Sequence, residues 1–237
     1  MTSRLGKGKP AGYKKANKRK KNGVLVLDKP IGATSNAALQ IVKRLFEAAK
    51  AGHTGSLDPL ATGLLVICTG KMTKQIDTFQ GQIKEYTGTF VLGSTTPSYD
   101  LETEIDETFS TKHITKELVS KTTKQFLGDI EQFPPIFSAI KKDGKRLYEF
   151  ARAGESVEIK PRKISIREFE ITRFENNKVD FRVVCSKGTY IRSLANDFGK
   201  ALNSGAHLSE LRRTKIGNFI VENAQTVEEF IAKLTSS

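Results

Sequence analysis

Residues 24–27, Val-Leu-Val-Leu, form a short continuous apolar run of the kind a buried strand carries. Asp28-Lys29-Pro30-Ile31-Gly32 breaks it. Thr34 or Ser35 can cap a helix, and Ala38, Ile41, Val42, Leu45 and Ala49 follow at helical spacing, with Gly52 the expected stop. Residues 64–68 predict a second strand. Residues 86–92 predict a third, with Tyr86, Phe90 and Leu92 on one face. Residues 93–112 read as a polar, acidic loop and 114–127 as a helix, and Phe133-Pro134-Pro135 ends regular structure. Residues 162–174 and 178–185 read as two strands. In the second, Val179, Phe181, Val183 and Cys185 share one face, and Asn176-Asn177 between them suggests a hairpin. Ile191, Leu194, Ala195, Phe198 and Leu202 make one helical stripe over 189–202, and Thr226 and Glu229 have capping-box spacing for a last helix. Strands and helices mix without strict alternation. The expected class is therefore α+β, with a mixed, largely antiparallel central sheet flanked by helices.

Charge changes this picture at two places. Of the net +13, nine lysines and arginines and no acid fall in residues 1–22, leaving +4 for the rest. That Lys/Gly/Ala segment has too little apolar surface to build a core, so a disordered basic tail is expected at 1–22 and the folded unit at 23–237. Its natural partner is a polyanion such as nucleic acid, a solubilising role being the alternative. The second place is the reverse. The chain is 27% charged, yet residues 51–70 carry a single formal charge, Asp58, where about five are expected.

Asp58 lies between Leu57 and Pro59 in a segment with glycines at 52, 55 and 63. Asp-Pro is a common turn dipeptide, and a turn is the plain reading. A carboxylate in an apolar loop, however, needs a cationic partner to keep its charge. Ser186-Lys187-Gly188-Thr189-Tyr190-Ile191-Arg192, where a strand ends and a helix begins, offers one in Arg192, which could equally face solvent. Several other chemistries are excluded. Gly70-Lys71 lacks P-loop spacing and Met72 replaces the Ser/Thr; no GxGxxG follows a strand. Three histidines and two cysteines lack zinc-ligand spacing, so no metal and no cofactor are expected. Cys68 and Cys185 sit in apolar runs and read as buried free thiols. No run is long enough to cross a membrane, and no secretory signal follows the basic start.

Five separated stretches resemble, in order, the motifs of bacterial TruB-type tRNA pseudouridine synthases. They are 23–35 (GVLVLDKPIGATS), 52–63 (GHTGSLDPLATG), 135–148 (PIFSAIKKDGKRLY), 187–192 (KGTYIR) and 205–213 (GAHLSELRR). The resemblance implies the pseudouridine synthase fold. It also implies conversion of uridine 55 in the T-arm loop of tRNA to pseudouridine, without cofactor, metal, membrane or obligate protein partner, by a cytoplasmic monomer. It places the catalytic carboxylate on Asp58 and its partner on Arg192. It puts Tyr86, Tyr190 and Leu211 around the flipped-out base, and His53 where that base had stood. Lys29 and Pro30 support the loop, and Arg212, Arg213, Lys141, Arg146 and Lys187 read as phosphate contacts or surface charges. Without the resemblance, strand-borne Tyr86 could be plain core. Two departures stand out. Pro97 replaces an acid in Leu92-Gly93-Ser-Thr-Thr96-Pro97-Ser98-Tyr99-Asp100, a change expected to leave the Asp58 constellation untouched. The small C-terminal RNA-binding (PUA-like) domain of many members is expected to be absent or much reduced. The rival from another class is a non-catalytic RNA chaperone or ribosome-assembly factor, which has no use for Asp58 beside Arg192. A synthase for a different RNA would change only the substrate.

Overall fold

The computed structural model describes residues 22–235, and within them nine strands join one sheet. In chain order these are β1 (Gly23–Lys29), β2 (Ala51–His53), β3 (Thr62–Thr69), β4 (Lys84–Leu92), β5 (Gly128–Gln132), β6 (Arg162–Glu175), β7 (Lys178–Cys185), β8 (Ala206–Ile216) and β9 (Phe219–Ile220). They lie side by side as β1-β3-β8-β4-β7-β6-β5, with β2 also on β3 and β9 on β8. Every pairing is antiparallel except β3 with β8, which run parallel through Arg212↔Thr62 and Arg213↔Gly63. The helices are α1 (Ser35–Leu45), α2 (Ile76–Gly81), α3 (Lys116–Thr122), α4 (Leu147–Arg152), α5 (Ile191–Ala201) and α6 (Val227–Thr235). This is the α+β class expected, with a largely antiparallel sheet. The proposed tail at 1–22 lies, but for Asn22, outside the described residues.

Two-sided burial explains why β3 reads as an unbroken apolar run rather than an alternating one. Leu64 and Val66 pack with Ile216 and Val221 on one face. Leu65 and Ile67 pack on the other with Leu27, Phe230 and the α1 residues Ala38, Leu39 and Val42. The larger core joins β4, β6, β7 and α5 through Phe90, Phe169, Phe181 and Phe198; the rings of Phe90 and Phe181 are 4.2 Å apart at their centroids. Both Cys68 and Cys185 are buried and free.

Local signals act where they were read. Thr34 Oγ1 accepts from Ala37 N at 3.0 Å at the start of α1. Thr226 and Glu229 cap α6 reciprocally, at 2.9 and 3.1 Å. Asn176 and Asn177 both take positive φ, 50° and 61°, as a two-residue hairpin between twisted strands requires. Three elements differ from expectation. Helix α1 stops at Leu45 and the chain reverses at Glu47 (φ 48°), so Ala49 lies beyond the helix and Gly52 is a residue of β2, paired with Cys68 of β3. The segment 93–112 holds a short strand pair, Ser94–Thr95 with Glu107–Thr108. Strand β8, central to the sheet, carries Glu210, Arg212, Arg213 and Lys215, which erase the alternation that marks a strand.

Candidate active site

The edge of β3 facing β8 is shared. Strand β2 pairs with residues 67–69 and β8 with residues 62–63, and the loop 54–61 fills the gap between them. Each turn of this loop is tied down. Thr54 N donates to Val66 O at 3.0 Å. The buried Ser35 hydroxyl accepts from Leu57 N at 2.8 Å and donates to Leu57 O at 3.1 Å. Leu57 thereby enters the core and turns Asp58 outward, half-buried, into a cleft. The wholly buried Lys29 donates to Pro30 O (2.9 Å), Ala33 O (2.7 Å) and Pro59 O (3.4 Å). The Lys29-Pro30 turn and the Asp58-Pro59 turn are therefore clasped by one ammonium. Burial lowers the Lys29 pKa to about 8, while Asp58 holds it up.

Arg192 reaches the same carboxylate from the first turn of α5. Its Nη2 donates to Asp58 Oδ1 at 3.1 Å and its Nε lies 2.9 Å from Oδ2. Nη1 donates to Phe137 O at 3.0 Å and Ser98 O at 3.3 Å, so the guanidinium is immobilised from three sides. Arg192 is 4% exposed, whereas the Asp58 side chain keeps 40% of its surface open to the cleft. Burial raises the Asp58 pKa; Arg192 pulls against it, Asp100 pushes with it, and Lys29 lowers it. Asp100 faces Arg192 Nε at 3.6 Å from the loop that carries Pro97. That loop therefore belongs to the site through Asp100. Pro97 itself is exposed, while Ser98 and Asp100 turn inward.

The cleft, of about 1270 Å³, is lined by Asp58, Arg192, His53, Tyr86, Tyr190 and Leu211 together. Tyr86 stands on β4, buried against the main core. Leu211 stands on β8 opposite Gly88, partly buried. Burial raises both tyrosine pKa values, so both phenols stay protonated at neutral pH. Burial, helped by the Arg213 charge, lowers that of His53, which is a neutral imidazole at pH 7. Tyr190 has no side-chain cap at α5; the buried Gln132 side chain holds its backbone instead. Tyr190 N donates to Gln132 Oε1 at 2.8 Å and Gln132 Nε2 to Tyr190 O at 3.0 Å. Gln132→Leu strands both groups, and is expected to cost about 1–3 kcal/mol in thermal melting and to lower turnover through a displaced Tyr190 and Arg192.

Arg146, Arg152, Arg162, Lys163 and Lys187 stand around the same cleft, a cationic wall suited to phosphates. Two arginines read as phosphate contacts or surface charges are otherwise engaged. Arg212 forks onto Asp28 (Nη1–Oδ1 3.0 Å, Nη2–Oδ2 2.6 Å), and Arg213 is 1% exposed, bonded to backbone carbonyls. Sequence reading missed Gln132 and Phe137, whose contributions run through an amide and a carbonyl that leave no chemical signature. Among the described residues, no three His, Cys, Asp or Glu side chains converge as metal ligands, and no helix is long and apolar enough to cross a membrane.

The fold thus carries a sheet-floored cationic cleft with an arginine-held carboxylate and two phenols. Residues 43–191 match the family model described as TruB family pseudouridylate synthase (N terminal domain), and residues 192–236 match tRNA pseudouridylate synthase B C-terminal domain. The chain belongs to the TruB family of pseudouridylate synthases. The boundary between the two matches passes through α5, and β8 of the second lies inside the sheet of the first. Similar proteins include tRNA pseudouridine synthase B of Flavobacterium johnsoniae, 64% identical over 87% of this chain and 93% of that one. That of Phocaeicola vulgatus is 52% identical over 89% and 92%. Among solved structures, a chain in a crystal of a Cbf5-Nop10-Gar1 complex superposes with a TM-score of 0.68 at 30% identity. One in an H/ACA RNP bound to a substrate RNA containing 2'-deoxyuridine does so with 0.67 at 29%. This chain is covered to 89% in each case and spans about half of theirs, 54% and 52%.

Proposed function

We propose that this chain isomerises uridine 55 in the T-arm loop of tRNA to pseudouridine, with Asp58 as the catalytic carboxylate. The reaction breaks the N1–C1′ bond and forms a C5–C1′ bond; the C5 proton leaves and N1 gains one, so nothing is oxidised or reduced. The uridine must leave the stack to reach Asp58. Tyr86 and Tyr190 present aromatic faces and protonated hydroxyls to it, Leu211 an apolar contact, and His53 a neutral ring to the space the base vacates. The single observation that carries the reading is the two-point contact of Arg192 with Asp58, which favours the ionised form of one carboxylate against its burial and aims it in a cleft open to a nucleotide. The substrate follows from the names of the similar bacterial proteins. We place the enzyme in the cytoplasm, working alone as a monomer.

The test uses unmodified tRNA transcript tritiated at uridine C5, since bond formation at C5 releases the label. Release at uridine 55 is the expected result. Tight binding without release favours a chaperone, and release from another position a different substrate. The segment 1–22, with nine cations and no acid, adds nonspecific phosphate contacts. Its deletion is expected to weaken tRNA binding and flatten the fall of log K with log salt. Unchanged binding at low salt would remove that role.

A further inference from the structure

The largest fully buried side chain is a cation, Arg213, that the chemistry described so far does not use. It stands on β8 where two pairings meet, opposite Gly63 of β3 and opposite Tyr86 of β4. The β3–β8 contact is tight. Gly63 takes φ 101°, and a Cβ there would collide with the Arg213 backbone. Beyond residue 63 the two strands part, and the edge of β3 has no strand partner until β2 takes over at residue 67. Thr54 N meets Val66 O at the far end of that interval, and Arg213 fills its near end. Its Nε donates to Leu64 O at 2.8 Å, as the N–H of a missing strand would, and its Nη2 donates to Gly55 O at 3.1 Å.

Gly55 lies three residues before Asp58 in the same loop, and takes φ 123°, a conformation few side chains allow. The guanidinium therefore ties the loop to β3 at the point where its backbone is least restrained by sequence. The charge also borders the cleft. It bears on the Tyr86 phenol, on the His53 ring and on Lys29, three groups that line or support the site from three different elements.

We infer that Arg213 is a positioning residue for the isomerisation, fixing the Gly55–Asp58 loop and the Tyr86 phenol relative to each other beneath the base. This rests on the proposed function. A planar fork is needed because two carbonyls on separate segments must be met at once. Lysine supplies the charge but only a point donor.

The experiment measures kcat and KM for tritium release from tRNA with wild type, Arg213→Lys, Tyr86→Phe and the double variant, at a temperature where circular dichroism shows each folded. Wild-type release establishes the reaction itself; the variants then address Arg213 alone. Arg213→Lys is expected to lower kcat by about 10²-fold, the scale of an ångström-level misplacement, with KM within about threefold of wild type. Tyr86→Phe should cost less in the Arg213→Lys background than in wild type, because both act on one phenol. A wild-type kcat in Arg213→Lys, with only its melting temperature lowered, would make Arg213 a fold stabiliser and overturn the inference. So would fully additive losses, or a loss confined to KM. If Arg213→Lys does not fold, Gly55→Ala takes its place in the same cycle, since it displaces the carbonyl that Arg213 holds. A wild-type kcat there would equally overturn the inference.

Discussion

Asp58→Asn is expected to lower tritium release from tRNA by on the order of 10⁴-fold or more, the scale seen when the central group of a catalytic set is removed. Asparagine keeps the size and one acceptor oxygen but cannot carry the charge that Arg192 is built to hold. The affinity for tRNA should change by less than about threefold, because it is dominated by phosphates meeting the cationic wall of the cleft. Stability should change little, because the loss of the carboxylate from buried Arg192 is offset by Asp100, which still faces it at 3.6 Å, and by the relief of burying the Asp58 charge. Burial raises the Asp58 pKa above its unfolded value, so the ionised form costs folding free energy at neutral pH, a cost that disappears as pH falls through the folded pKa. Asparagine removes the same cost at every pH. A melting temperature close to that of the wild type, with activity gone, is the expected pair of results. A collapsed melting temperature would make Asp58 a structural residue, and undiminished release would take it out of the mechanism.

Arg192→Met is expected to have the largest effect on both stability and pH dependence. The guanidinium separates Asp58 from Asp100 and bonds the carbonyls of Ser98 and Phe137. Without it two carboxylates share a poorly solvated space, and the loss of one partner of a buried pair costs about 3–5 kcal/mol. That corresponds to a fall in melting temperature on the order of 10 °C for a chain of this size. The pH profile moves in a definite direction. Arg192 and Lys29 lower the Asp58 pKa while burial and Asp100 raise it. Removal of Arg192 raises it further, so the residual kcat/KM should begin to fall at a higher pH on acidification than in the wild type. An acid limb unmoved in Arg192→Met would mean that Asp58 is not the group whose ionisation the rate requires. Arg192→Lys, which keeps a charge without the fork, should lie between the two in melting temperature and in the position of that limb.

Much of this site is legible in the chain because its chemistry is local. One acid in twenty nearly uncharged residues, and a tyrosine and an arginine two apart at a strand-to-helix junction, are patterns that survive without coordinates. The hairpin at Asn176-Asn177 and the caps of α1 and α6 are legible for the same reason, since their partners lie within a few residues. Asp100 is different. Its sequence neighbourhood is a polar loop, and only the fold carries that loop across to Arg192, 92 residues on. Gln132 serves the site as a backbone clamp, a use to which any buried amide could be put.

The amino-acid sequence alone determined the class of fold, the family and the group expected to do the chemistry, because each depends on periodicities and short motifs whose physical cause is contained in a few residues. What it could not determine is which charged side chains face water. Strand β8 reads as a polar stretch, and its two adjacent arginines look alike. Alternation of side chains across a strand sends them to different places. Arg212 goes out to Asp28, and Arg213 goes into a gap between strands where Leu64 O and Gly55 O await a donor. That gap exists only because β2 and β8 meet the same edge of β3 without joining, a matter of tertiary packing between segments 150 residues apart. A buried charge is tolerated where the assembled fold supplies its hydrogen bonds, and nothing in the local sequence records that supply.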